Sequence, residues 1–160
     1  TNAAEMAYLT GQFDKTEELI SIVLKNARKL LDKVKIYEVR ILSLSAQNRL
    51  LEAVQSGLEI LAQLGVKLPL RPTNFQILTG LIKSRFVLLG KKIEHLIDLP
   101  EMTDEKKLAA MNIISSMNSP VYLAVPELIA LMGITQVNLS VRYGNAPPSP
   151  VAYSAYGLIL

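Results

Sequence analysis

The sequence predicts an all-α fold in which antiparallel helical hairpins stack as a tetratricopeptide-like α-solenoid. Apolar residues recur at steps of three and four along almost the whole chain, and no segment alternates with the period of two that a half-buried strand requires. Glycine, asparagine and proline separate the helical segments at short intervals, which is typical of short loops between neighbouring helices. Half of the residues are hydrophobic, so the chain can bury a sizeable core.

Seven or eight helices are predicted from the apolar spacing. They cover about residues 3–9, 14–31, 34–47, 51–64, 73–97, 104–117, 126–143 and 152–160. Gly11 and Gly65 are expected to end the first and fourth helices, because glycine adopts a left-handed backbone at little cost. The helix over 73–97 is expected to bend or break near Gly90.

Other residues mark the helix boundaries in the second half of the chain. Thr103 is the expected N-cap of the sixth helix, with two carboxylates directly after it in the first turn. Asn118–Ser119–Pro120 is expected to be a break, and Pro126 to lie in the first turn of the following helix. Gly144 is expected to stop that helix, and residues 146–150 to form a stiff linker.

Two segments 37 residues apart carry a similar pattern: residues 11–16 correspond to residues 48–53. Gly11 and Asn48 tolerate the left-handed backbone of a tight turn. Two positions later in each segment, an apolar residue fills the gap between the paired helices. A small residue at the end of each segment lets the two helices approach each other. The offset is close to the 34 residues of a tetratricopeptide unit, but the consensus tryptophan is absent and residues after Pro72 do not repeat the pattern visibly. An irregular helical bundle is the alternative.

Composition excludes several classes of protein. The chain has no cysteine, so it forms neither a disulfide nor a thiolate zinc site, which fits a cytoplasmic location. The net charge is +3, but the basic residues are interleaved with acids and lack aromatic stacking platforms, so nucleic-acid binding is not expected. The longest apolar segment, 121–134, is interrupted by Pro126 and Glu127 and is too short for a membrane span.

No catalytic, cofactor-binding or metal-binding residue is predicted, and the chain itself is not expected to be an enzyme. The only histidine, His95, is interpreted as structural rather than as a general base, because no second ligand or nucleophile motif accompanies it. The carboxylate pairs at 17–18 and 104–105 point about 100° apart on a helix and favour helix formation in first turns. Gly90 and Lys91 lack the rest of a phosphate-binding loop.

The methionines and tyrosines allow two interpretations. Methionines 102, 111, 117 and 132 are expected in the core rather than in an adaptable binding groove. Most tyrosines are expected to pack at helix crossings with the hydroxyl at the edge. The alternative is that Tyr143, Tyr153 and Tyr156 line an interaction surface.

Five segments resemble one protein family. They are GLEILAQLGVKLP (57–69), LPEMTDEKKLAAMNII (99–114), SPVYLAVPEL (119–128), VNLSVRYGN (137–145) and SPVAYSAYG (149–157). Together they resemble the helical region of large bacterial, cyanobacterial-type multi-sensor signal transduction kinases. In that family the region follows a serine/threonine kinase domain and an AAA-type ATPase, and precedes GAF and histidine-kinase domains. The resemblance implies no catalytic residue here, because the active sites of the family lie in those other domains.

These observations lead to one expectation about organisation and function. Residues 1–160 are expected to form a single helical-repeat module of a larger protein, with tetratricopeptide-like hairpins over 1–69 and less regular hairpins over 70–160. Its expected function is that of a non-catalytic scaffold between ATPase and kinase domains, contacting neighbouring domains of its own chain or a partner protein. The alternative is a sensor module that binds a small inducer on the concave face. The sequence does not indicate the oligomeric state.

The repeat also predicts where two helices approach closely. Gly57 and Ala53 are the small residues at that point of the second hairpin. Replacing either with leucine is expected to destabilise the fold by roughly 1–3 kcal/mol through overpacking.

Overall fold

The protein is all-helical in the part that its computed structural model describes, residues 2–91 and 95–159. The nine helices of this part are α1 (Asn2–Leu9), α2 (Phe13–Asn26), α3 (Leu30–Ala46), α4 (Leu50–Gln63), α5 (Asn74–Leu88), α6 (Glu105–Ser116), α7 (Asn118–Ala124), α8 (Leu128–Tyr143) and α9 (Ser149–Ile159). Within the described residues, the strand-like pairing is limited to an isolated bridge between Glu101 and Asn145. The predicted all-α class is therefore confirmed.

Some helices pack against their neighbours in the chain, and others pack against helices further away in the sequence. Helix α2 packs against α1 and α3, and α3 packs against α4. Helices α6 and α7 both lie on α4, and α8 contacts α6, α7 and α9. Helix α5 packs on α8 rather than on α4, the helix before it in the chain.

Three groups of buried side chains hold this arrangement together. The largest joins α3, α4, α6, α7 and α8, and the others lie beneath α1–α3 and beneath α5, α8 and α9. The four predicted core methionines, Met102, Met111, Met117 and Met132, are all buried, which confirms that prediction.

The two turns predicted from the repeated pattern have the same backbone conformation. Gly11 has φ +72° and Asn48 has φ +59°, so the expected left-handed backbone is confirmed at both positions. In each turn the next residue donates its backbone N–H to the carbonyl oxygen five residues earlier, at 2.9 Å. Five residues after each left-handed position, Thr16 and Ala53 are fully buried. The two turns that lie 37 residues apart therefore share one local geometry.

The predicted boundary between the second and third helices was wrong. Helix α2 ends at Asn26 instead of near residue 31, and α3 already begins at Leu30. Ala27 adopts an extended backbone, with φ −69° and ψ +112°, which interrupts the helix without glycine or proline. Leu30 and Leu31 pack against the largest core group as part of α3. Their apolar spacing fits a helix on either side of the break, so the spacing alone does not locate it.

The helix predicted over 73–97 is shorter in the structure. Helix α5 ends at Leu88, and Gly90 has φ +77°, so the expected break near Gly90 is confirmed. Residues 92–94 of the predicted helix lie outside the described residues. Residues 95–99 form turn hydrogen bonds rather than a continued helix.

Three predicted boundaries in the second half need correction. Asp104, not Thr103, caps α6, because its carboxylate accepts from the backbone N–H groups of the second and third helical residues. Residues 118–120 form the first turn of α7 instead of a non-helical break. Proline is tolerated there, because the backbone N–H that it lacks has no hydrogen-bond partner in the first turn of a helix. Pro126 precedes α8, which begins at Leu128. Ser149 and Pro150, expected in a linker, belong to α9.

Candidate interaction surface

Helix α5 starts with a complete capping box. The backbone N–H of Gln76 donates to the Thr73 hydroxyl at 3.3 Å, and the backbone N–H of Thr73 donates to the Gln76 side chain at 2.9 Å. Two otherwise unpaired N–H groups are thereby satisfied, which fixes the start of the helix.

The inner face of α5 packs against side chains of α8 and α9. Its Ile77, Leu81, Val87 and Leu88 pack against the buried group that α8 and α9 contribute to. At Gly80, an added Cβ would lie 3.1 Å from a methyl carbon of Leu131 on α8. The small residue therefore lets the two helices approach closely, and α5 is held in one rotational setting.

The outer face of α5 carries a continuous apolar stripe, named here the α5 ridge. The ridge consists of Phe75, Leu78, Ile82, Phe86 and Leu89, whose exposed fractions range from 48% to 78%. The first four lie on α5 at steps of three and four residues, so they span only about 80° of the helix circumference, and Leu89 follows directly after the helix. A helix that is apolar on both faces is typical of a buried position. The ridge is therefore a surface that the described fold leaves uncovered.

Basic residues border the α5 ridge. Lys83 lies on one side of the ridge and Arg85 on the other, and both are exposed. Exposed Arg71 precedes the helix and exposed Lys91 follows it. No aspartate or glutamate occurs between residues 60 and 93 of the sequence. The ridge and its borders thus form an apolar seam in a positively charged surround.

Asn145 joins the segment that follows α5 to the loop between α8 and α9. Its backbone N–H donates to the Pro100 carbonyl at 2.7 Å, and its carbonyl accepts from the N–H of Met102 at 2.8 Å. Its side-chain NH₂ donates to the carbonyl oxygens of Leu96 at 2.8 Å and Ile97 at 3.2 Å. All of these bonds link parts of the chain about 45 residues or more apart. Asn145 therefore fixes the loop that connects α5 to α6.

A cavity of about 440 Å³ lies beside Asn145. Its walls are mainly apolar, and Tyr153 and Ser149 contribute polar groups. The Tyr153 hydroxyl donates to the Asn145 side-chain oxygen at 2.7 Å, and burial raises the pKa of this hydroxyl, which keeps it neutral. The Ser149 hydroxyl bonds the Ala146 N–H and the Ser140 hydroxyl. These polar groups already have partners within the fold.

Substitution of Asn145 with alanine is expected to lower the free energy of unfolding by about 2 kcal/mol, because two carbonyl oxygens and the Tyr153 hydroxyl lose their partner. Tyr153→Phe removes only one of these bonds and is expected to cost about 1 kcal/mol. Urea unfolding monitored by circular dichroism measures both values. Equal losses of unfolding free energy in the two variants would contradict the conclusion that the Asn145 side chain fixes the loop through several hydrogen bonds.

The residues that the sequence singled out for possible chemistry do not come together. His95 is exposed, and its Nδ1 lies 3.3 Å from an Asp98 carboxylate oxygen. Asp104 acts as a helix cap, as described above. Among residues 2–91 and 95–159, no group of three or more histidine, cysteine or carboxylate side chains is placed to hold a metal ion.

The tyrosines proposed for an interaction surface divide between surface and core. Tyr143 is exposed, with the Lys107 ammonium 5.4 Å from its ring centre. Tyr156 is buried, and Tyr153 is partly buried beside the cavity. These three residues do not form one exposed surface. The exposed tyrosine with the largest accessible fraction in the described part is Tyr122 on α7, outside that set.

The α5 ridge was not identified from the sequence, although a signal was present. Within 74–89, apolar residues occupy both the positions that face α8 and the positions that face solvent. Such a pattern predicts a helix with two apolar faces. Which face packs within the chain depends on the placement of α5 on α8, which the local pattern does not contain.

Among the described residues, no helix has the length and apolar character needed to cross a membrane. Comparison with protein-family models, curated proteins and solved structures found no match to the chain.

Proposed function

We propose that this chain is a non-catalytic interaction module of a multi-domain signal transduction kinase. In this role it binds a neighbouring domain, or a partner protein, and transmits the conformational state of one domain to another, between ATPase and kinase domains. The observation that carries the proposal is the α5 ridge, an apolar stripe on a helix whose other face is already packed. The kinase context rests on the family resemblance of the five sequence segments described above.

The energetics of the α5 ridge favour a docking role. Fully burying an exposed large apolar side chain contributes about 1.5–3 kcal/mol. The ridge side chains are 48% to 78% exposed, so covering them contributes a part of that for each residue and offsets part of the cost of association. Contiguous apolar surface of this kind marks interaction sites on soluble proteins. The ridge also lies on a regular helix with a capped start, so its side chains are presented by a rigid element.

The tetratricopeptide-like solenoid is part of the proposal. Two observations support it: the turns at Gly11 and Asn48 have the same left-handed geometry, and each of the first three helices packs on the next one in the chain. In a repeat array each unit contacts mainly the next one. Such an array offers an extended surface that connects domains at its two ends.

The test uses the full-length protein that contains this chain, with its ATP hydrolysis and phosphoryl transfer as readouts. The ridge variant carries Leu78→Gln and Ile82→Gln, at side chains 55% and 48% exposed. The matched control carries Leu51→Gln and Ile22→Gln, at side chains 44% and 48% exposed on α4 and α2. Both variants change the same residue types at similar exposure, so they are expected to fold equally well.

A change of several-fold in either activity is expected in the ridge variant alone. Equal activities in the wild type and both variants, with all proteins folded, would refute a regulatory role for the ridge. A full-length protein without ATPase or phosphoryl-transfer activity would refute the kinase context.

The cavity beside Asn145 favours a second candidate function, a sensor that binds a small apolar inducer. Its volume of about 440 Å³ lies in the range of small-molecule sites, roughly 300–1,000 Å³. A ligand that binds only the folded chain raises its melting temperature. A thermal-shift screen of apolar compounds, repeated on a variant with Ala146→Phe to fill the cavity, tests this candidate. Equal shifts in both proteins would place the binding elsewhere.

A further inference from the structure

The chemistry of the α5 ridge and its borders defines the partner it fits, an inference that rests on the proposed function. We propose that the α5 ridge docks an amphipathic helix whose apolar face is bordered by acidic side chains. Three observations carry this step: the shape of the ridge, the charge of its borders, and the poor fit of a second copy of this chain.

The shape of the ridge fits a helix. Phe75, Leu78, Ile82, Phe86 and Leu89 form a narrow seam rather than a broad apolar face. Apolar residues at steps of three and four are the pattern by which one helix packs along another. Helices that lie in a membrane surface present a wide apolar face. Helix α5 cannot present a wider face, because its other side packs on α8.

The charge of the borders fits an acidic partner. Lys83 and Arg85 lie on opposite sides of the seam, so a helix in the ridge places its own two edges near positive charge. Arg71 and Lys91 extend the positive charge beyond both ends of α5. Carboxylates along the edges of the docked helix complement this arrangement, which favours the correct partner and speeds the encounter.

A second copy of this chain fits the ridge poorly. Ile82 lies near the middle of the ridge, so two α5 helices related by an antiparallel two-fold axis would bring Lys83 against Lys83 and Arg85 against Arg85. A parallel pairing would bring Lys83 against Arg85. Both arrangements place like charges across the seam, which is unfavourable. The charge pattern therefore favours a different, acidic helix over self-association.

Two peptides probe this proposal on the 160-residue chain. Both are amphipathic helical peptides of about 20 residues with leucine at steps of three and four. One carries glutamate and the other lysine at the positions flanking the leucines. Fluorescence anisotropy measures their binding to the wild-type chain and to two variants. The charge variant carries Lys83→Glu and Arg85→Glu, and the ridge variant carries Leu78→Gln and Ile82→Gln.

The glutamate peptide is expected to bind the wild-type chain about tenfold more tightly than the lysine peptide, and this preference weakens with added salt. The charge variant is expected to reverse the preference, and the ridge variant to lose both peptides. Because every substituted residue is exposed, the variants are expected to keep the circular dichroism spectrum of the wild type, which is checked in parallel.

Four other outcomes overturn the acidic-helix proposal. Equal binding of the two peptides, unaffected by the charge variant, means that charge does not select the partner. Micromolar self-association that the ridge variant abolishes makes a second copy the occupant. Tighter binding to phosphatidylserine vesicles than to the glutamate peptide makes the occupant a lipid surface. Failure of the glutamate peptide to bind also overturns it, whereas the activities of the full-length variants separately decide the proposed function.

Discussion

Substitution of Gly144 with alanine is expected to lower the free energy of unfolding by at least about 3 kcal/mol. Gly144 has φ +103° and ψ +170°, a backbone region that only glycine occupies readily. A Cβ at this position would also lie 2.4 Å from the Pro100 carbonyl oxygen and 3.0 Å from the carbonyl carbon of Glu101. Both obstacles are backbone atoms, so a rotamer change cannot relieve them. The substitution therefore separates the two segments that Asn145 joins.

The matched control for this prediction is Gly11→Ala. Gly11 has φ +72°, and no atom lies within 4 Å of its added Cβ. The control therefore measures the backbone cost alone, about 1 kcal/mol. Thermal unfolding of both variants gives the comparison, with an expected loss of about 10 °C for Gly144→Ala. Similar melting temperatures for the two variants would contradict the close contact between the loop and residues 100–101.

Substitution of Gly57 with leucine is expected to destabilise the fold by about 3 kcal/mol, the upper end of the range for overpacking. A Cβ on Gly57 would lie 2.2 Å from the sulfur of Met117, which is fully buried at the junction of α6 and α7. The closest contact of Gly57 thus lies between α4 and the α6–α7 junction, and not inside the second hairpin, where the repeated pattern had placed it. Leucine adds three further carbons to a space that the Cβ already overfills.

Two variants test this explanation by denaturant unfolding. Gln55→Leu places leucine at an exposed position of the same helix and is expected to change stability by at most about 0.5 kcal/mol. Met117→Ala removes the side chain that leucine meets, so the double variant is expected to cost clearly less than the sum of the two single variants. Strict additivity would mean that Met117 is not the obstacle.

The sequence predicts the local structure of this protein well where a single residue type decides the conformation. Gly11, Asn48 and Gly65 adopt the left-handed backbone expected from their residue types. The break after Asn26 was missed, because Ala27 adopts an extended backbone there although alanine favours the helix. Thr103 and Asp104 are both good N-cap residues, and the geometry of the loop before α6 decides between them.

The candidate site was less predictable than the helices. Apolar spacing identifies α5 as a helix, but its two faces are equally apolar, so the ridge emerges only from the placement of α5 on α8. The hydrogen bonds of Asn145 were also not predicted. They join residues about 45 or more positions apart, and no local pattern encodes such pairings.

The most direct test of the central claim is hydroxyl-radical labelling of the α5 ridge side chains, read by mass spectrometry. Phe75 and Phe86 are 73% and 72% exposed in this chain, so both are expected to label strongly in the isolated 160-residue protein. In the larger protein that we propose contains this chain, their labelling is expected to fall several-fold, while exposed Met6 on α1 serves as the reference. Labelling of Phe75 and Phe86 that is the same in both proteins, and that also stays unchanged when the glutamate peptide is added, would contradict the claim that the ridge is a docking surface.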